Sequence, residues 1–152
     1  MLLKQFATET WIENIGNKTI NKKGKICITK KCFGNAGEDF ACKHLFKNGY
    51  SIIERNFTSY FGEIDIIALD HNKKSPELVF VEVKSRTNTN CGSPAESVTP
   101  FKIKHLIKCA EYYLCVHHLE DYFCRFDVIE VYELFNGDFK INHIKNTFDY
   151  NT

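Results

Sequence analysis

The sequence has no apolar run long enough to cross a membrane. Its first residues, Met1-Leu2-Leu3-Lys4-Gln5-Phe6-Ala7-Thr8-Glu9, lack the apolar core of a secretion signal and meet an acid early. A cytoplasmic protein with no membrane partner is the expectation. An excess of one charge is also missing. Twenty Lys and Arg stand against 19 Asp and Glu, for a formal net charge of +1. This excludes a polycation, so any nucleic-acid contact must rest on locally gathered positive charge. Cysteine is plentiful, at seven residues, but no Cys-x-x-Cys pair occurs. The odd count, the chain length and the missing secretion signal argue against a disulfide framework. Cys27, Cys32 and His44 lack the spacing of a zinc site. Cys42 and Cys109 fall within apolar helical patterns, where reduced, buried thiols are expected. Internal repeats and low-complexity segments are absent.

What remains is an ordinary globular composition of 152 residues, 43% hydrophobic and 26% charged, enough for one domain with a sizeable core. Residues 1–32 stand apart. From Gly16 to Cys32 the chain holds Lys18, Lys22, Lys23, Lys25, Lys30 and Lys31 and no acid. A flexible arm of this kind could neutralise phosphates. The plainer reading is a weakly ordered extension without a role. Residues 33–152 would then form the domain.

Within it, the spacing predicts a helix from about Asn35 to Asn48, with Ala41, Leu45 and Phe46 on one side and Gly49 at its end. Strands follow near Tyr50–Asn56, Gly62–Leu69 and Leu78–Lys84, then a small-residue and polar loop from Ser85 to Val98. Thr99-Pro100 starts a second helix, threonine as N-cap and proline in the first turn. It runs to about Val116 with Phe101, Leu106, Ile107, Ala110, Tyr113 and Leu114 as its apolar stripe. Strands at Arg125–Leu134 and Phe139–Ile144 are joined by the hairpin signal Asn136-Gly137. The order α-β-β-β-α-β-β belongs to the α/β class, a mixed β-sheet flanked by helices.

Gly62-Glu63-Ile64-Asp65-Ile66-Ile67 and Val79-Phe80-Val81-Glu82-Val83-Lys84 carry charges at alternate positions of apolar strands. Residues two apart share a face. If Leu69 faces Leu78 across the polar link, antiparallel partners have numbers summing to 147, and Asp65 falls opposite Glu82. Like charges facing each other on a sheet are destabilising. Held together, such carboxylates share a proton or bind a cation, and oxygen ligands favour Mg²⁺ or Mn²⁺. The plainer reading is a solvated face with a Glu82–Lys84 ion pair. Against it, Leu78-Val79-Phe80-Val81 is apolar at every position, the pattern of a strand covered on both faces. On the second helix, Lys102, Lys104, His105 and Lys108 cluster in the first half, either as a solvated face or as a phosphate-binding one.

Asp65, Glu82-Val83-Lys84 and an upstream helical glutamate resemble the PD-(D/E)XK nuclease superfamily, which includes restriction enzymes and archaeal Holliday-junction resolvases. A closer resemblance is to the small bacterial YraN-like family. It is carried by Gly34-x-x-Gly37-Glu38-x-x-Ala41, Gly49-Tyr50, Arg55-Asn56 and Gly62-Glu63-Ile64-Asp65-Ile66-Ile67-Ala68. It continues through Val79-Phe80-Val81-Glu82-Val83-Lys84-Ser85-Arg86, Ser93-Pro94-Ala95-Glu96-Ser97-Val98, Lys102 and Arg125-Phe126-Asp127-Val128. Together these cover roughly Phe33 to Phe148.

The resemblance implies a restriction-endonuclease-like fold and metal-dependent cleavage of DNA, with branched or damaged DNA as candidate substrates. It implies Mg²⁺ or Mn²⁺ held by Asp65, Glu82 and the carbonyl of Val83, with Lys84 and Glu38 completing the catalytic set. Glu63 is a weaker candidate ligand, and Asp39 is a neighbour that could be confused with Glu38. Arg86, Lys102 and Lys104 are the candidates for nucleic-acid contact. Many junction-cutting members of the superfamily act as dimers, which makes a homodimer a candidate assembly for this chain. Two other readings stay open: a non-catalytic nucleic-acid-binding module that kept the fold, and a protein-interaction domain whose acid cluster only binds an ion.

Overall fold

The computed structural model describes residues 36–86, 99–134 and 138–148. The lysine-rich stretch, residues 87–98 of the expected Ser85–Val98 loop and the Asn136-Gly137 turn lie outside them, while Ser85 and Arg86 belong to a strand and not to that loop. The described elements are α1 (Ala36–Lys47), β1 (Tyr50–Ser59), β2 (Gly62–Asp70), β3 (Glu77–Arg86), α2 (Pro100–His117), β4 (Cys124–Glu133) and β5 (Phe139–Phe148). The element order is the expected one.

The five strands form one mixed sheet in the order β1-β2-β3-β4-β5. β1, β2 and β3 are antiparallel neighbours, β3 and β4 run parallel, and β5 returns antiparallel to β4. The parallel pair requires a crossover, and α2 supplies it. β3 is the middle strand and is buried at Leu78, Val79, Phe80 and Val81, as its unbroken apolar run predicts. Leu69 pairs with Leu78 and Ile66 with Val81, the register expected from the sequence.

Alternation divides the core between two faces. On one, Ala41, Cys42 and Leu45 of α1 pack against Ile66, Ala68, Val79, Val81, Ile129 and Val131. On the other, Tyr113 of α2 meets Phe80 edge-on at 6.0 Å, and Phe80 lies 5.5 Å from Phe126. Two aromatics expected in the apolar stripes point outward instead: Phe46 is 53% exposed and Phe101 is 73% exposed. On α1 the apolar place is taken by Phe40, which stacks on Phe139 of β5 at 3.9 Å.

Local chemistry fixes the helix ends. The Thr99 hydroxyl accepts the Lys102 amide at 3.3 Å, and Pro100 opens α2. Gly49 ends α1 at φ +82°, and a Cβ there would meet the Asn72 amide oxygen at 2.9 Å.

Beneath the sheet rim lies a buried polar knot. Asp70 of β2 pairs with Glu77 of β3, two acids face to face. Arg125 of β4 resolves the clash. Its Nη2 donates to Asp70 at 2.9 Å and to the Tyr50 hydroxyl at 3.0 Å, its Nη1 to Glu77, and its Nε to Asp127 at 2.9 Å. Burial alone would raise the Asp70 pKa, but bonds from Asn72, Arg125 and Tyr50 lower it to about 2.

Candidate active site

The antiparallel ladder of β2 and β3 ends at Ile66–Val81, one step before Asp65 and Glu82. There the Asp65 carboxylate replaces the backbone partner: its Oδ2 accepts the Val83 amide N–H at 2.7 Å. Glu82, Lys84 and Arg86 follow Phe80 at alternate positions, so they share its face, the face covered by α2. The expected Asp65–Glu82 neighbourhood is therefore present, held by a side chain-to-backbone bond.

Glu82 is 4% exposed and collects two cations on one oxygen. Its Oε1 receives the Lys84 ammonium at 2.7 Å and also the Lys102 ammonium from the first turn of α2. Its Oε2 is buried without a hydrogen-bond partner. A buried carboxylate oxygen left unpaired is costly. Among the described residues, no three His, Cys, Asp or Glu side chains are grouped closely enough to hold a metal by themselves.

The charge distribution is asymmetric. Burial, then the negative charge of Glu82, push the Asp65 pKa up to about 6, against the opposing bond from Val83. Glu38 adds to the rise, so the α1 glutamate acts electrostatically on the same site. Burial works to lower the Lys102 pKa, but its bond to Glu82 and that carboxylate's charge hold it above the ordinary lysine value.

Glu38 sits in the first turn of α1 and is buried. Its Oε2 accepts Arg55 Nη2 at 3.2 Å and Asn56 Nδ2 at 3.1 Å. Arg55 also donates to Asp39 at 2.7 Å, so Asp39 is an outer partner of the same arginine. Between Ile52 and Glu54 a bulge shifts the β1 register, and Asn56 takes φ +52°. Asparagine tolerates this left-handed conformation better than most side chains.

Asp65, Glu82, Lys84 and Lys102 are thus brought together, and Glu38, bonded to Arg55 and Asn56, reaches them through its charge on Asp65. Arg86 lies further along β3, its Nη2 4.0 Å from Glu130 Oε1. Glu63 and Lys104 are exposed. Glu130 extends the polar row and was not singled out from the sequence. It pairs with Lys84 in the parallel register, is 2% exposed, and accepts Tyr132 at 2.8 Å and Asn142 at 3.0 Å. The alternation Val128-Glu130-Tyr132 on β4 was the available signal. Cys42 and Cys109 are buried, as expected. No described helix is long and apolar enough to cross a membrane.

The model of the uncharacterised protein family UPF0102 matches residues 37–131. A UPF0102 protein of Clostridium beijerinckii is 49% identical over 122 residues, spanning 80% of this chain and 96% of the relative. UPF0102 protein TTE1452 of Caldanaerobacter subterraneus is 44% identical over 124 residues, spanning 80% of this chain and 98% of its own. The chain belongs to the UPF0102 family, the YraN-like group whose motifs it carries. Among solved structures, that of Pyrococcus furiosus SfsA in complex with Ca²⁺ aligns over 71% of this chain and 60% of that one. The identity is 13% and the TM-score 0.32, too low to establish a shared fold.

Proposed function

We propose that this UPF0102 protein is a metal-dependent endonuclease that hydrolyses DNA phosphodiester bonds, with branched or damaged DNA as the substrate class. The observation that carries the reading is the buried, unpaired Oε2 of Glu82 beside the Asp65 carboxylate, whose proton affinity burial and the Glu82 charge raise. An oxygen of this kind fits a hard divalent cation, Mg²⁺ or Mn²⁺. Asp65 and Glu82 would hold it, and the Val83 carbonyl and water would complete the donor set. Bound there, such an ion lowers the pKa of a water molecule and polarises a phosphate oxygen.

The protein's own groups supply the rest. Lys84, anchored on Glu82, orients the attacking water or offsets charge developing on the phosphate. Glu38, fixed by Arg55 and Asn56, keeps the negative field of the site in place. Lys102, Arg86 and the exposed Lys104 offer positive charge to the phosphate backbone.

One observation favours a second reading, a nucleic-acid-binding module without catalysis. Lys84 and Lys102 already neutralise Glu82 as an ordinary ion-pair cluster would. Cleavage of labelled single-stranded, duplex, flapped and four-way-junction DNA with Mg²⁺ or Mn²⁺ separates the two. Wild type is run beside identically prepared Asp65→Ala, Glu82→Ala and Lys84→Ala. Cleavage by wild type alone is expected. Equal cleavage by all four proteins, or none, removes the enzymatic reading.

A further inference from the structure

The tip of the β1–β2 hairpin and the first half of α2 carry exposed rings that the carboxylate site does not use. Tyr60 is 98% exposed and Phe101 73%. Both belong to a connected series. The His105 ring nitrogen Nδ1 bonds the Phe61 carbonyl at 2.7 Å, tying the hairpin tip to α2. Phe101 lies 4.4 Å from the His105 ring, and Tyr60 lies 5.7 Å from Phe61, edge to face. Phe101 directly precedes Lys102 in the first turn of α2, and the Lys102 ammonium sits on Glu82.

Charge selects the occupant. From Pro100 to Ala110, α2 carries Lys102, Lys104 and Lys108 and no acid. Exposed rings interleaved with lysines complement a single nucleic-acid strand, whose bases offer π-faces and whose phosphates offer negative charge. In a regular duplex the base faces are stacked on one another, and these rings have nothing to cover. Resting on the nuclease reading, we infer that Tyr60 and Phe101 stack unpaired bases of single-stranded DNA. The site then takes its substrate from unpaired or frayed segments, not from the interior of a duplex.

The test is fluorescence anisotropy of a labelled 20-nucleotide thymidine strand and of a blunt duplex of about the same length, with EDTA present. Wild type is compared with Tyr60→Ala, Phe101→Ala and Tyr60→Phe. Each alanine variant is expected to bind the single strand about tenfold more weakly, with duplex binding unchanged and Tyr60→Phe near wild type. Unchanged single-strand binding, or equal losses on strand and duplex, overturns the inference. So does tighter binding of a uridine strand on the same rings, which assigns them to RNA. Self-association in sedimentation that Tyr60→Ala abolishes also overturns it, by giving the rings to a second copy. Mn²⁺ calorimetry on the same proteins reads the metal site independently. Intact aromatic-dependent binding without Mn²⁺ uptake would sink the nuclease reading and leave the stacking surface standing.

Discussion

Asp65 accepts the amide N–H of Val83 at 2.7 Å where the β2–β3 ladder has ended. The bond holds a carboxylate whose proton affinity is raised by burial and by the neighbouring charge of Glu82. The folded-state pKa of Asp65 is about 6, above the ordinary 3.8. Its favourable contribution is therefore full below about pH 4 and lost as pH rises through 6. Asp65→Asn keeps the acceptor and removes the charge. In EDTA it is expected to be more stable than wild type by about 1–3 kcal/mol above pH 7, with the gap closing toward pH 4. Urea unfolding at both pH values checks this. Equal midpoints at pH 7 would show that neither burial nor the Glu82 charge penalises an ionised Asp65.

On the proposed metal-dependent reading, Lys102 and a divalent cation would compete for Glu82. The ammonium already sits on Oε1 and is held charged by that contact. Lys102→Met removes a positive charge beside the proposed cation position while Lys84 still covers Oε1. Mn²⁺ is expected to bind about fivefold tighter in calorimetry, roughly 1 kcal/mol of relieved repulsion. Binding that weakens instead would make Lys102 a support of the ion site.

Much of this arrangement was legible because it is local or periodic. Thr99-Pro100 announces α2 through chemistry confined to one turn. A single apolar pairing, Leu69 with Leu78, sets the register that brings Asp65 toward Glu82. What stayed hidden depends on distant partners or on backbone detail. The bulge between Ile52 and Glu54 changes how Arg55 and Asn56 reach Glu38, and no residue there signals it. Tyr60-Phe61 forms the tip between Ser59 and Gly62 without an Asn-Gly or Asp-Gly pair. Phe101 matched an apolar stripe by spacing, but that position faces solvent. By spacing, Lys102 reads as part of a solvated or phosphate-binding cluster, and only the folded chain shows its ammonium on Glu82.

Arg125 was legible only as part of a short motif. Its partners Asp70, Glu77 and Tyr50 lie far away in the chain and meet it through the parallel β3–β4 pairing. The Arg125 side chain is 5% exposed, its guanidinium set among Asp70, Glu77 and Asp127. Burial works to raise the pKa of all three carboxyls, yet hydrogen bonds and the arginine charge hold them low. Arg125→Met leaves these acids buried without their main cation and is expected to cost about 3–5 kcal/mol at pH 7. The pH dependence identifies the cause. Carboxyls with lowered folded-state pKa values stabilise the fold above about pH 4, and that share is lost as pH falls toward 2. Wild type therefore loses it on acidification. In the variant, protonation relieves the unpaired charges instead. The gap in urea midpoint should narrow steadily from pH 7 to pH 3. A constant gap would assign the loss to packing of the arginine stem, with the three carboxylates indifferent to the charge.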